Sequence, residues 1–226
     1  MVRIKCDLHI HTSASADGHC TVKEIISKAK EAGFDAIAIT DHDTTKSAKE
    51  ALAFSDESLV IIPGVEVSTK QGHVLVLGTT DEFPMNEDAE TTIAKAKEKG
   101  CLVIIPHPFH RFRHAVGLKN MNALKLADAI EAYNSRYYIS SSNRKAARVA
   151  KKFGKPITAG SDAHSCRFVG YGINLIDAEE RTADSILKAV KEGKIESRCI
   201  KTPSRTYTGQ SFGNVMRKIK RRIRRR

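Results

Sequence analysis

The sequence has no tryptophan, no apolar run near the ~20 residues that a membrane-spanning helix needs, and no cysteine pair at CxxC spacing. The missing apolar run excludes a spanning helix. The start, MVRIKCDLHIH, goes straight into a charged strand-like run and lacks a signal-peptide pattern. Cysteine occurs as Cys6, Cys20, Cys101, Cys166 and Cys199, an odd and scattered set. That excludes a disulfide scaffold and a Cys-rich zinc module, and leads to an expectation of small core residues in a reducing cytoplasm. There is no internal repeat and no low-complexity stretch ahead of the C-terminal segment. With 226 residues, the chain can build one sizeable core and not comfortably two; 41% hydrophobic and 28% charged residues are ordinary globular proportions.

Acidic residues are missing from one end. Residues 201–226 contain ten Lys/Arg and no Asp/Glu, whereas residues 1–200 contain 28 basic and 26 acidic residues. The net charge of +12 therefore divides into a near-neutral body, residues 1–200, and a basic tail, residues 201–226, that is either helical or disordered.

What the body does contain is an alternation of short apolar runs and amphipathic segments. Residues 3–9, 35–40, 59–67, 73–78, 101–106, 128–133, 155–160 and 171–176 read as strands. Helices are expected over 21–33, 44–54, 87–99, 119–127, 139–153 and 182–193, the first with Thr21 as N-cap and Glu24 completing a capping box. Such repetition means an α/β fold of parallel strands with helices outside, and a barrel or an open doubly wound sheet both fit it. One connection differs. Only Ser68 to Gly72 separates the third and fourth strands, too few residues for a parallel crossover, so these two should form an antiparallel hairpin.

On this map the candidate functional residues all fall at one rim. His9 and His11 close the first strand, with Asp17 in the loop beyond. Asp41 and His42 follow the second strand, Glu66 ends the third, and the hairpin carries His73 back beside it. His107, Asn134, and then Asp162 and His164 follow the next three strands. The carboxyl ends of strands are where α/β sites assemble. Taken singly, each element has an ordinary explanation: Gly-Ser-Asp can cap a helix and Pro-His-Pro can be a rigid turn. Their conjunction at strand ends is what points to chemistry. Six imidazoles and three carboxylates at one rim would repel or raise one another's pKa without a counter-ion, and that donor set suits Zn, Mn or Fe. The set is too large for one ion, so two or three divalent metal ions are expected, with Glu66 as the natural bridge. His19 should be solvent-exposed, and His110 and His114 should belong to a loop.

The segments DLHIHTSASADG, ITDHDT, PGVEVS, GHVLVLG, IPHP and GSDAH together resemble the ordered motifs of the PHP (polymerase and histidinol phosphatase) superfamily over residues 4 to about 193. The resemblance implies a distorted seven-stranded β/α barrel, TIM-like, with a trinuclear metal site and metal-dependent phosphoester hydrolysis. It assigns His9, His11, Glu66 and Asp162 to a first metal, Asp17, His42 and His164 to a second, and Glu66, His73 and His107 to a third. Asp17 fills a position that is His in some members. The basic tail has no counterpart in that pattern.

A metal cluster with no nucleophilic Ser or Cys beside it points to hydrolysis by metal-bound hydroxide, with Glu66, Arg136, Asp162 and His164 in the catalytic roles. A phosphate ester also needs cationic and polar donors, and Arg111, Arg113, Asn134, Arg136 and Arg167 stand on the rim loops, guanidinium groups matching phosphate geometry better than ammonium. Nucleotide phosphates and the 5′ ends of RNA or DNA lead as substrates. Histidinol phosphate is the alternative, as is a non-catalytic nucleic-acid-binding barrel.

In the tail, RKIKRRIRRR is eight-tenths basic, and Phe212, Met216, Ile219 and Ile223 share one helical face. So short a helix is marginal alone and should fold only against a surface: the barrel's own flank, an anionic membrane, which few large apolar residues and the absence of Trp disfavour, or nucleic acid, which fits the expected chemistry best; a solvated frayed terminus is the plain alternative. Deleting residues 201–226 should leave hydrolysis of a small chromogenic phosphate unchanged while weakening binding of long RNA or DNA and flattening its salt dependence. Equal binding of long nucleic acid by intact and truncated proteins at low salt would exclude this role.

Overall fold

A computed structural model describes residues 1–110, 114–136 and 141–203. Its elements in chain order are β1 (Val2–Ile10), α1 (Val22–Glu31), β2 (Ala36–Ile39), α2 (Lys46–Leu52), β3 (Val60–Ser68), β4 (His73–Leu77), α3 (Ala89–Glu98), β5 (Leu102–Ile105), α4 (Met121–Leu126), β6 (Ala129–Asn134), α5 (Ser141–Lys152), β7 (Ile157–Gly160), β8 (Gly172–Ala178), α6 (Ala183–Lys191) and β9 (Ile195–Cys199). Local chemistry sets these boundaries where it is strongest: the Thr21 side chain accepts from the Glu24 backbone while Glu24 reaches back to Thr21, the capping box legible in TVKE.

The strands form one nine-stranded mixed sheet in the order β7-β6-β5-β4-β3-β2-β1-β8-β9. This corrects the expected count of seven. β1, β2 and β3 run parallel, as do β5, β6 and β7. β4 is antiparallel to both neighbours, and its hairpin with β3 pairs Ser68 with His73. β8 adds antiparallel to β1, and β9 antiparallel to β8 at the sheet edge. β9 escapes the sequence pattern because IESRC is a short edge strand with charged residues and no buried face.

The sheet curls into a nearly closed barrel because β1 serves two neighbours. Residues 2–6 pair with β8, whereas at its far end Ile10 bridges Ala163 in parallel. There Asp162 N–H donates to His9 O at 2.9 Å and His11 N–H to Ala163 O at 2.9 Å. Between the two pairings Asn174, fully buried, acts as a bracket. Its amide nitrogen donates to Ala159 O (2.8 Å) and Cys6 O (3.1 Å), and its oxygen accepts from Ala159 N–H and Ser197 Oγ, each at 2.8 Å.

The alternating faces then decide what lies inside. Ile4, Cys6, Leu8, Ala36, Ala38, Val60, Ile62, Leu75, Leu77 and Ala129 form an apolar cluster joined by Ile186 and Val190 of α6. Residues of opposite parity, such as Ile37, Ile39 and Ile61, pack under α1 and α2. Continuing the inner face toward the carboxyl ends leads from Val60 and Ile62 to Glu66, from Leu77 and Leu75 to His73, and from Ala129 to Glu131. In β1 the register shifts between Asp7 and Ile10, so His9 and His11 take over the inward positions from Leu8. Apolar plug and polar rim are thus the two ends of the same faces.

Two further features depart from the sequence expectation. Cys20 and Cys166 form a disulfide, whereas Cys6 and Cys101 are free and buried as expected. The bond joins the loops after β1 and β7, partners 146 residues apart that no local spacing reveals. Thr202, assigned to the tail, is buried and held to the body: its N–H donates to Ser135 O at 2.9 Å, and the two hydroxyls lie 2.9 Å apart. The remaining tail, with its expected helix, lies outside the described residues, as do Arg111 and Arg113. No helix among the described residues is long and apolar enough to cross a membrane.

Asn174→Ala should destabilise the protein by about 3 kcal/mol, because Ala159 N–H and two carbonyls lose a buried partner. In a chain of this size that lowers the thermal midpoint by roughly 6–12 °C. A calorimetric shift below about 2 °C would show that other contacts close the barrel.

Candidate metal centre

The rim brings together all of His9, His11, Asp17, His42, Glu66, His73, His107, Asp162 and His164. Glu66, buried at the end of β3, is their hub. Its Oε1 lies 3.0 Å from both His73 Nδ1 and His107 Nε2. Its Oε2 lies 3.2 Å from His11 Nε2, 3.2 Å from His42 Nδ1 and 3.4 Å from His9 Nε2. Asp162 Oδ1 stands 3.6 Å from His11 Nε2, and Asp17 Oδ2 is 3.1 Å from His164 Nε2. Ligand-capable atoms fall into overlapping groups within 4.8 Å: His9/His11/Glu66, His11/His42/His164, His42/Glu66/His73 and His9/His107/Asp162. His9, His11 and His42 each belong to two groups, a sharing absent from the assignment that the motifs imply.

These atoms fit cations better than they fit one another. Glu66 Oε2, His42 Nδ1, His107 Nδ1 and Asp17 Oδ1 are buried without a hydrogen-bond partner among the described residues. An unsatisfied buried carboxylate oxygen is costly, and a positive ion among the donors removes that cost. The two histidines of β1 are also aimed from behind. His9 Nδ1 is 2.8 Å from Glu131 Oε2. His11 Nδ1 is 3.2 Å from Ser15 Oγ, whose own proton goes to Asp41 Oδ1 at 2.7 Å, so the hydroxyl accepts from the ring. Each ring therefore presents Nε2 inward, and the two Nε2 atoms sit 3.1 Å apart. Two lone pairs that close need a proton or a cation between them.

The electrostatics agree. Burial, with His164 and His42 nearby, pushes His11 down to about 3. His164 falls to about 4 through burial and the Arg136 charge. Burial opposes charge on His9 too, but Glu131, Glu66 and Asp162 outweigh it and raise its pKa well above the ordinary value. Burial would raise Glu66 as well, yet His73, His42 and His9 hold it ionised. A divalent ion bound among Glu66, His9 and His11 would compete with protons for these donors. Backbone strain marks the same place: His107 (φ 32°) and Asp162 (φ 50°) occupy the left-handed region that non-glycine residues seldom adopt.

Several participants have no ligand motif in the sequence. Glu131 is buried in β6, accepts from His107 N–H (3.1 Å) and from Asn134 Nδ2 (2.7 Å), and lies where a Cβ on Gly160 would stand only 2.0 Å from its Oε2. A charged residue within the apolar run DAIEAY was its one sequence signal. Asn134 spends its amide on Glu131 and on Asp162 Oδ2 (3.2 Å). Arg136 places Nη1 3.2 Å from Asp162 Oδ1 with its side chain 12% exposed. Arg167 is exposed beside the Phe168 ring. His19 is exposed and His110 buried, while the exposed His114 brings its ring 5.3 Å from that of His73.

Comparison with known proteins places this geometry in context. The PHP_C family model, described as PHP-associated, matches residues 140–195. The uncharacterized protein MJ1587 of Methanocaldococcus jannaschii is 34% identical over 143 residues, covering 58% of this chain and 82% of that protein. The 5′-3′ exoribonuclease Rnm of Escherichia coli is 47% identical over 66 residues, covering 28% of this chain and 22% of that protein. A two-domain protein from Bacteroides vulgatus containing a predicted PHP-like metal-dependent phosphoesterase superposes with a TM-score of 0.75 at 19% identity, over 88% of this chain and 65% of that chain.

Glu66→Gln should bind fewer ions per chain than the unsubstituted protein, because the amide cannot supply two anionic oxygens to two sites. Elemental analysis after reconstitution with excess Mn²⁺ and desalting measures this, with circular dichroism as the folding control. Equal metal content would remove Glu66 from the bridging role.

Proposed function

We propose, for a chain that belongs to the PHP superfamily, that it is a metal-dependent phosphoesterase acting on nucleotide phosphates or on the 5′ ends of RNA or DNA. The observation that carries this is the Glu66 hub, with both carboxylate oxygens surrounded by inward-facing imidazoles at the strand-end rim. His9, His11, Glu66 and Asp162 would hold one divalent ion, Asp17, His42 and His164 a second, and Glu66, His73 and His107 a third. Bound there, Mn, Zn or Fe supplies a Lewis acid that activates water near neutral pH and neutralises charge on phosphoryl oxygens.

The chain's own groups do the rest. Glu131 and the Ser15–Asp41 pair fix the tautomers of His9 and His11, so that donor nitrogens are set before any ligand arrives. Asn134 at the end of β6 and Arg136 just beyond it hold Asp162. Arg136 would pair with a non-bridging phosphate oxygen, and Arg167 would offer a second guanidinium from the next loop; Arg111 and Arg113 would act from the loop after β5. Ser15 is not a free nucleophile: its buried Oγ accepts from His42 N–H at 2.9 Å and from His11 Nδ1 at 3.2 Å, which engages both lone pairs. Glu66, Arg136, Asp162 and His164 are the catalytic candidates.

A nucleic-acid end is favoured among substrates by the similarity to an exoribonuclease over 66 residues. A purely binding barrel would not need nine ligand-type side chains with orphaned buried atoms, and histidinol phosphate has no observation of its own here. The deciding experiment is a panel with Mn²⁺: a chromogenic phosphomonoester, a chromogenic diester, bisphosphonucleotides, 5′-phosphorylated oligomers and histidinol phosphate. Turnover of the nucleotide substrates supports the proposal. Turnover of none refutes it.

Arg136→Ala should retain the metals yet lower kcat/KM by about tenfold or more, through loss of a charge-assisted contact to phosphate. Wild-type kinetics, or loss of metal in the same preparation, would show that Arg136 serves Asp162 alone.

A further inference from the structure

The surface helices carry their charge in two ways. Lys28 and Lys30 of α1, Lys95 and Lys97 of α3, and Lys188 and Lys191 of α6 each meet a carboxylate. α5 differs. Arg144, Lys145, Arg148, Lys151 and Lys152 are all exposed, and none makes an ion pair among the described residues. No acidic residue occurs between Glu131 and Asp162. At 3.6 residues per turn the five side chains fall within an arc of about 120°, opposite the buried Ala146 and Ala150. Arg144–Arg148 and Arg148–Lys152 are like-charge pairs at i,i+4, which destabilise a helix with nothing to offset them. Lys46 and Lys49 of α2 also lack an ion pair among the described residues, but Glu50 stands on the same helix, whereas α5 carries no acidic residue at all.

Its position ties it to the metal centre. α5 starts at the rim, where Asn143 Oδ1 accepts from Asn134 N–H at 3.3 Å and Ser142 Oγ donates to Phe109 O at 3.3 Å. Lys145 Nζ lies 4.3 Å from the centre of the Phe109 ring, on the loop after β5. From there the helix descends the outside of the barrel, and Arg144 to Lys152 covers about 12 Å.

We propose that this face of α5 binds the sugar-phosphate backbone of a single-stranded nucleic acid whose end lies at the metal rim. The inference rests on the phosphoesterase reading and gives it a substrate class: a polymer, held beyond its reacting end. One phosphate per ~3.4 Å along a strand sets roughly three or four charges against the stripe. Guanidinium groups at two positions suit phosphate oxygens. The stripe carries no large apolar side chain, so it lacks what a membrane-inserting face requires.

The test uses the full chain with Arg144, Arg148, Lys151 and Lys152 all changed to Gln, which keeps good helix formers. The control changes Lys28, Lys30, Lys95 and Lys188, which are ion-paired, to Gln. Anisotropy titrations of a 5′-phosphorylated oligonucleotide across a salt series give affinity and slope. The α5 variant should bind about tenfold more weakly at low salt, with a slope of log K against log[salt] lower by about 2–3, at ~0.7 per lost phosphate contact. Turnover of a small chromogenic phosphate should stay near the unsubstituted value, and the control should keep both affinity and slope. Unchanged binding by the α5 variant, equal loss in the control, or equally tight α5-dependent binding of polyglutamate or anionic vesicles would overturn the proposal. If the unsubstituted protein hydrolyses no phosphate ester, the function fails separately, and the salt slope still decides the α5 face.

Discussion

Everything at the rim depends on one electrostatic constraint: Glu66 is a buried carboxylate that must stay ionised. Burial alone would protonate it, and the surrounding imidazoles reverse that preference. To ligate a cation, those imidazoles must in turn give up that charge and present unprotonated nitrogens. Three of them approach Oε2 within 3.4 Å and none satisfies it by a hydrogen bond. A group so surrounded and so unsatisfied is poised for cations, and the architecture around it serves to keep it that way.

The first layer of support is polar and directional. Glu131 behind His9, and Asp41 acting through Ser15 behind His11, turn two flexible ligands into fixed ones. Gly160 leaves the space in which Glu131 sits. The second layer is the barrel. β1 reaches β7 at the rim and β8 below it, and Asn174 ties the three strands together through backbone groups that would otherwise be buried unpaired. Opening this seam would separate His9 and His11 from Asp162 and His164, so barrel closure and assembly of the site are one event.

Charge is partitioned on the outside as sharply as on the inside. Ion pairs on α1, α3 and α6 leave those faces nearly neutral, while α5 keeps its cations uncompensated and carries them away from the rim.

The sequence by itself determined the alternation of elements, the hairpin between β3 and β4, the α1 capping box and the convergence of the ligand residues on strand ends. Each of these is local, set by periodicity, by a connection too short to cross over, or by a motif of a few residues. Only the tertiary structure decided the rest. The nine-strand sheet arises because β1 has two partners at different heights, and β9 is too short and too charged to announce itself. The Cys20–Cys166 bond joins loops that meet only after the barrel closes. Glu131 gains its role from a neighbour 122 residues away, and Asn134 joins Glu131, three residues back, to Asp162, which its own sequence context does not contain. Residue type and spacing define what a side chain can bond to; which partner it finds depends on distances that exist only once the chain has folded.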